Sequence, residues 1–154
     1  MLSAEPVLSR NLPNGPVSDA LSEHHREIEA ACLEIMAAGF TDDPRDLALR
    51  WRVIERELLA HLATEEDLLL PAYQHADPEN AQLLREDHEA IRKHALELAV
   101  AIQLHSIRIE QLQAFVDELR AHAHREETSL YLWAQANLAL DHDHRRRLLA
   151  RIHA

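Results

Sequence analysis

Apolar residues recur every three or four positions along most of this chain, the spacing of a helix face turned toward neighbours. Leu21, His25, Ile28, Cys32 and Ile35 form one such stripe, in steps of 4, 3, 4 and 3. Ser18 or Asp19 suits the N-terminal cap of this first helix, and Gly39 its stop after Ala38. A second stripe, Ile54, Leu58, His61 and Glu65, follows Asp42, Asp43 and Pro44, a start signal with proline in the first turn. Pro71 is expected to kink or end that helix, because it has no N–H and crowds the preceding turn. Asp77 and Pro78 repeat the start signal ahead of Leu84, His88, Ile91, Ala95, Leu98 and Ile102. A fourth helix is expected from near Ser106 through Phe115, Leu119, His122, Glu126, Leu130 and Trp133, and a short fifth, capped by Asp141 or Asp143, carries Leu148, Leu149 and Ile152. Residues 1–17, with Pro6, Pro13, Gly15 and Pro16, read as an extended N-terminal arm, and residues 18–154 as one unit with a C-terminal extension. Long helices joined by short connections predict an all-α, antiparallel up-down-up-down four-helix bundle.

Within these apolar stripes sit residues that a core normally excludes. His61-x3-Glu65-Glu66 and His122-x3-Glu126-Glu127 are two copies of one pattern. A shift of 61 residues carries Ile54, Leu58, His61, Glu65, Glu66 and Leu69 onto Phe115, Leu119, His122, Glu126, Glu127 and Leu130. A shift of 63 carries Leu21, His25, Ile28, Cys32 and Ile35 onto Leu84, His88, Ile91, Ala95 and Leu98. Self-similarity of any amphipathic bundle explains matched Leu and Ile. It does not explain His on His and Glu on Glu. The chain therefore reads as two helix pairs, each giving one His from its first helix and His-x3-Glu from its second.

The bundle topology places these residues at one level. With connections near residues 41, 77 and 106, His25, His61, Glu65, His88, His122 and Glu126 lie at similar distances from the shared loops. The mismatches are a few residues each, on the order of 5 Å at a rise of about 1.5 Å per residue. Positions i and i+4 of a helix share a face, so each His-x3-Glu pair presents an imidazole and a carboxylate to one point. Buried without a ligand, such groups would carry a heavy desolvation cost. Four imidazoles and two carboxylates suit a pair of metals, each with two His and a share of both Glu. An oxo, hydroxo or water ligand is expected to complete the bridge, leaving a position open for a small molecule. With N and O donors and no thiolate the set suits Fe, Mn or Zn; two iron ions are favoured, since nitrogen-rich carboxylate-bridged pairs suit Fe(II)/Fe(III) chemistry.

Other residues are read against simpler roles. His24 adjoins His25 and competes with it as a ligand; the match to His88 favours His25. Glu66 and Glu127 read as a solvated edge or as outer partners of the ligands. Arg92 reads as a surface ion pair with a nearby Glu, or as a cation at the mouth of the site. His94, His105 and His124 do not share the ligand face, and His142, His144 and His153 read as surface residues near the terminal helix. Cys32 reads as a small core residue.

Composition narrows the setting. The 154 residues are 47% hydrophobic and 28% charged, consistent with one globular domain. A formal net charge of −11 argues against nucleic acid, the only basic cluster being Arg145, Arg146 and Arg147. A single cysteine allows no internal disulfide. No stretch approaches the ~18 apolar residues of a membrane span. No signal peptide is evident, so a cytoplasmic protein without a membrane partner is expected.

The order His25, His61-x3-Glu65, His88, His122-x3-Glu126, with Leu69-Leu70-Pro71 after the first Glu-Glu pair, resembles the hemerythrin-like (HHE cation-binding) family over roughly residues 18–137. The resemblance implies an iron-oxo bundle with those six residues as ligands. It departs from the oxygen-carrying members, which have a second His one turn after the third-helix His, where this chain has Arg92, and which end in His-x4-Asp rather than His-x3-Glu. It thus implies members that meet a small oxidant (O2, peroxide or NO), with catalase-like or peroxide- or NO-reducing activity. The alternative is an iron- or oxygen-responsive binding or sensor module without turnover.

Overall fold

The computed structural model of the chain describes residues 17–40, 43–138 and 142–152. The expected arm over residues 1–16, the alternative caps Asp42 and Asp141, and His153 lie outside the described residues, as do the side chains of His142, His144, Arg145 and Leu148. Seven helices are described: α1 (Val17–Ala37), α2 (Pro44–Leu68), α3 (Leu70–Ala76), α4 (Pro78–Gln103), α5 (Ile109–Glu127), α6 (Leu130–Asn137) and α7 (His142–Ile152). The four long ones form the all-α bundle, α1 lying against α2 and α5, and α4 completing the ring between α2 and α5. Cross-helix pairs run in opposite senses: Glu29 meets Arg120 and His25 meets Glu126 between α1 and α5, while Asp87 meets His122 and His94 meets Glu118 between α4 and α5. α5 therefore runs antiparallel to both α1 and α4.

Local chemistry sets most of the helix ends. Asp43 caps α2, its carboxylate accepting the Arg45 N–H at 3.0 Å, and Asp77 caps α4 through the Asn80 N–H at 3.1 Å. Gly39 follows α1 with φ of 69°, a left-handed conformation that costs glycine least. Two starts differ from expectation. α1 begins at Val17, whose side chain is buried, so Ser18 and Asp19 fall inside the first turn. Ser106 serves the end of α4 instead of the start of α5: its N–H reaches back to the Ala101 carbonyl at 2.9 Å while His105 takes φ of 53°. α5 then begins at Ile109, with Gln111 Oε1 accepting the Arg108 N–H at 2.8 Å.

The expected break at Pro71 is present, since α2 ends at Leu68 and α3 restarts with Pro71 in its first turn. The fourth helix also breaks, which the apolar pattern did not announce. At Thr128 and Ser129 the hydroxyls donate back to the His124 and Arg125 carbonyls, at 2.8 and 2.6 Å, competing with the helical ladder. α6 then packs against α1, α3 and α5. The internal repeat thus extends to its breaks, with α3 after α2 and α6 after α5.

These breaks shape the core. One apolar cluster, including Ile28, Cys32, Trp51, Leu58, Leu62, Ile91 and Phe115, fills the bundle toward the α1–α2 and α4–α5 connections. Burial pushes the Cys32 thiol up to about 12. A second cluster, including Val17, Leu21, Leu70, Tyr73, Leu84, Leu130 and Tyr131, closes the end covered by α3 and α6. Between them lies a layer of buried polar groups.

Candidate metal centre

Each of the six expected site residues enters that layer from its helix stripe: His25 from α1, His61 and Glu65 from α2, His88 from α4, His122 and Glu126 from α5. Five are buried, and the His25 side chain is 12% exposed. They fall into two groups, His25, His61, Glu65 and Glu126, and Glu65, His88, His122 and Glu126, with the ligand atoms of each within 4.8 Å of one another. Both carboxylates belong to both groups. Each group is able to hold a metal ion.

The contacts inside the layer are close but poorly aligned for hydrogen bonding. His25 Nε2 lies 3.1 Å from Glu126 Oε1, His61 Nε2 lies 3.0 Å from Glu65 Oε1, and His122 Nε2 lies 2.8 Å from Glu126 Oε1. Yet both oxygens of Glu65, Glu126 Oε1 and His122 Nε2 lack a well-directed hydrogen-bond partner. Buried polar atoms without partners are rare in native folds. Here they converge pairwise on common points, as nitrogen and oxygen donors do around a cation, so the residues fit a metal pair.

Without a metal, the layer divides its charge unevenly. Burial, then the neighbouring Glu126 charge, raises the Glu65 carboxyl well above the ordinary carboxylate range. Burial opposes ionisation of Glu126 as well, but the His122 charge and the close approach of the His122, His25 and His88 ring nitrogens hold it well below that range. Burial, then the charge of His25, lowers His61. For His122 burial acts downward and is outweighed by Glu126 and Asp87, which bring it up to about 9. The layer thus favours the neutral form of Glu65 and the ionised forms of His122 and Glu126, so metal binding there is coupled to proton release.

A partly buried belt braces the imidazoles from behind. His122 Nδ1 pairs with Asp87 Oδ2 at 3.0 Å, and Asp87 accepts the Arg125 Nε–H at 2.7 Å. Burial works against the Asp87 charge, but His122 and Arg125 lower the carboxyl on balance. Behind His88, Glu66 Oε2 stands 3.8 Å from Nδ1 and is gripped by the Arg92 guanidinium at 2.7 and 2.6 Å. Glu127 Oε1 is 3.6 Å from His25 Nδ1. Glu66 and Glu127 thus stand behind the imidazoles at ion-pair distance, beyond hydrogen-bond reach, and Arg92 is the ion-pair partner of Glu66. His94 pairs with Glu118, and His105 and His124 are exposed, none of them in the layer.

Three residues beyond the expected six take part. His24 is buried, with Nδ1 2.8 Å from His61 Nδ1, so it backs His61 instead of replacing His25. Its position three residues after Leu21 and four before Ile28 fits the stripe as well as His25 does, a signal that both face inward. Asp87 carried no periodic signal. Tyr131, on α6, is buried with its hydroxyl 3.2 Å from His25 Nε2 and 3.3 Å from His61 Nε2. Burial, then the charges of Glu126 and Glu65, raises its phenol well above the ordinary tyrosine value.

A cavity of about 20 Å³, counted as room for the centre of a water-sized sphere, adjoins the layer. His25, His61 and His122 floor it; Ile28, Leu58, Leu62 and Leu119 wall it. The larger surface groove, about 540 Å³ between α2 and α4, contains none of the six residues.

The description "Hemerythrin HHE cation binding domain" matches residues 17–134. The chain belongs to that family. The match spans all of the layer and α6 as far as Ala134. No curated protein and no solved structure matches the chain. Among the described residues no helix is long and apolar enough to cross a membrane.

Proposed function

We propose that this hemerythrin-family chain is a non-haem di-iron protein that binds or reacts with a small oxidant: O2, peroxide or NO. His25, His61, Glu65, His88, His122 and Glu126 are its metal ligands, and the two Glu bridge. The observation that carries this reading is the pair of overlapping donor groups sharing both carboxylates. A metal pair there supplies one-electron redox chemistry and an open position for a small molecule. The protein's own part is selection and exclusion. A cavity of 20 Å³ admits a molecule about the size of water, and its four aliphatic walls favour a small, weakly hydrated ligand over a bulky anion.

Elemental analysis with an absorption spectrum of the same sample tests the reading. About two irons per chain with near-ultraviolet charge-transfer bands are expected. No bound iron, and none taken up on anaerobic reconstitution, would sink it. Oxygen release from peroxide at the rate of free iron would remove the catalase-like form while leaving the binding form.

A second reading, a metal-responsive module without turnover, draws on the charged layer that splits the apolar core. Metal binding contributes directly to the stability of such a fold. In this reading metal-free protein is cleaved by protease much faster than loaded protein, and peroxide and NO leave the loaded spectrum unchanged.

A further inference from the structure

The six-residue assignment gives Tyr131 no role beyond the contact of its hydroxyl with the Glu65 carboxyl. Its hydroxyl oxygen sits against the Nε2 atoms of His25 and His61 at 3.2 and 3.3 Å. Under the di-iron reading, on which this inference rests, both nitrogens turn their lone pairs to one metal. Neither is then free to accept a hydrogen bond from the phenol. Donors held about 2.0–2.2 Å from one metal ion stand roughly 3.0–3.4 Å apart at right-angled to tetrahedral spacing. The carboxylate contacts of that group, Glu65 Oε1 to His61 at 3.0 Å and Glu126 Oε1 to His25 at 3.1 Å, fall on this spacing. The two Tyr131 contacts do so as well.

The ring is fixed in place. Tyr131 stacks on His25 with centroids 5.6 Å apart and planes 16° from parallel, and it belongs to the second apolar cluster. It approaches the layer from the α6 side, whereas the small cavity is walled by members of the first cluster. The other half of the site has nothing like it. The shift of 61 that pairs His61 with His122 pairs Leu70 with Tyr131, and Leu70 is fully buried. The chain's other tyrosine, Tyr73, turns its hydroxyl to Asn80 instead.

We propose that Tyr131 is a seventh protein ligand, its phenolic oxygen bound to the metal held by His25 and His61. On binding, the phenol O–H bond breaks, the proton passes to solvent, and the oxygen lone pair forms the metal bond; no electron is transferred. The two metals are then inequivalent by construction, one with a phenolate and one without.

The chain contains only one other tyrosine, Tyr73, whose hydroxyl accepts from Asn80 at 2.6 Å. That makes the test clean. Wild type, Tyr131→Phe and Tyr73→Phe are loaded with ferric iron and examined for metal content, visible absorption and resonance Raman scattering. Wild type and Tyr73→Phe are expected to show a visible phenolate-to-iron(III) band with enhanced phenolate ring modes. Tyr131→Phe is expected to keep its irons and lose both signals. About two irons without phenolate modes in wild type, or modes that persist in Tyr131→Phe, would overturn the inference alone. Iron content near zero in wild type would overturn the di-iron reading and this inference with it.

Discussion

The two halves of the buried polar layer share their side-chain types but not all of their surroundings. His88 and His122 are backed by carboxylates tied to arginines, Glu66 with Arg92 and Asp87 with Arg125. On the other side His25 has the Glu127 carboxylate behind it, but His61 is backed by a second imidazole, His24, and Tyr131 lies against both His25 and His61. A carboxylate behind a metal-binding imidazole raises its basicity and fixes its tautomer more strongly than a second imidazole does. The internal repeat thus produces near-equivalent donors and sets Glu66 and Glu127 behind one imidazole each, while Asp87, His24 and Tyr131, which have no counterpart of the same type across the repeat, make the halves chemically distinct.

The shared carboxylates test how far the halves are one unit. Glu126→Ala or Glu65→Ala is expected to lower iron content from about two per chain to near zero, because each removes a donor from both groups. His61→Ala and His122→Ala remove a donor from one group each and are expected to cost at least half of the iron; full occupancy with an unchanged spectrum in any of these variants would withdraw that residue from the ligand set. Asp87→Asn sharpens the comparison, with about 10–100-fold weaker metal affinity expected, as is usual for loss of an outer partner. Competition titration with a chelator reads this directly. Arg92→Ala acts one step further out through a half-exposed ion pair worth about 0–1 kcal/mol, so a change under about 5-fold is expected.

Protonation offers a separate handle on the His122 side. Its folded value is raised to about 9, so the stability it lends the metal-free bundle is fully present below the ordinary histidine value of 6.5 and is lost as pH rises through about 9. Thermal melts of metal-free protein are expected to decline across that window. Asp87→Asn, removing one of the groups that raise His122, should move the decline to lower pH. A melting temperature flat across the window in wild type would contradict the assignment of the charge to His122.

The six donors were legible because a core stripe tolerates Leu for Ile but has no use for a repeated His-x3-Glu. The start signals at Pro44 and Pro78 and the break at Pro71 were legible for a similarly local reason, since proline acts on its own turn. Adjacent residues were harder. His24 and His25 straddle one stripe, and only packing separates the one facing the carboxylates from the one behind His61. Asp87 looked like any acid next to a buried residue, because the Arg125 that completes its pair comes from another helix. Tyr131 lay beyond reach of the i+4 argument, which fails where a helix breaks, and Thr128 and Ser129 are weak breakers whose effect depends on their hydroxyl geometry.

The shortness of α6 has a bearing on exchange kinetics. Eight residues are too few to hold a helix by themselves, and this one is kept in place by Leu130, Tyr131, Ala134 and the contact of Trp133 with Tyr73. Segments of that kind open locally long before the whole fold does. Under the proposed di-iron reading, an ion held in the layer would leave through transient lifting of α6, at a rate paced by that opening. Extraction by a strong chelator should reach a rate that no longer depends on chelator concentration, well above the rate of global unfolding, so that residence time is set by the cover as much as by the donors beneath it.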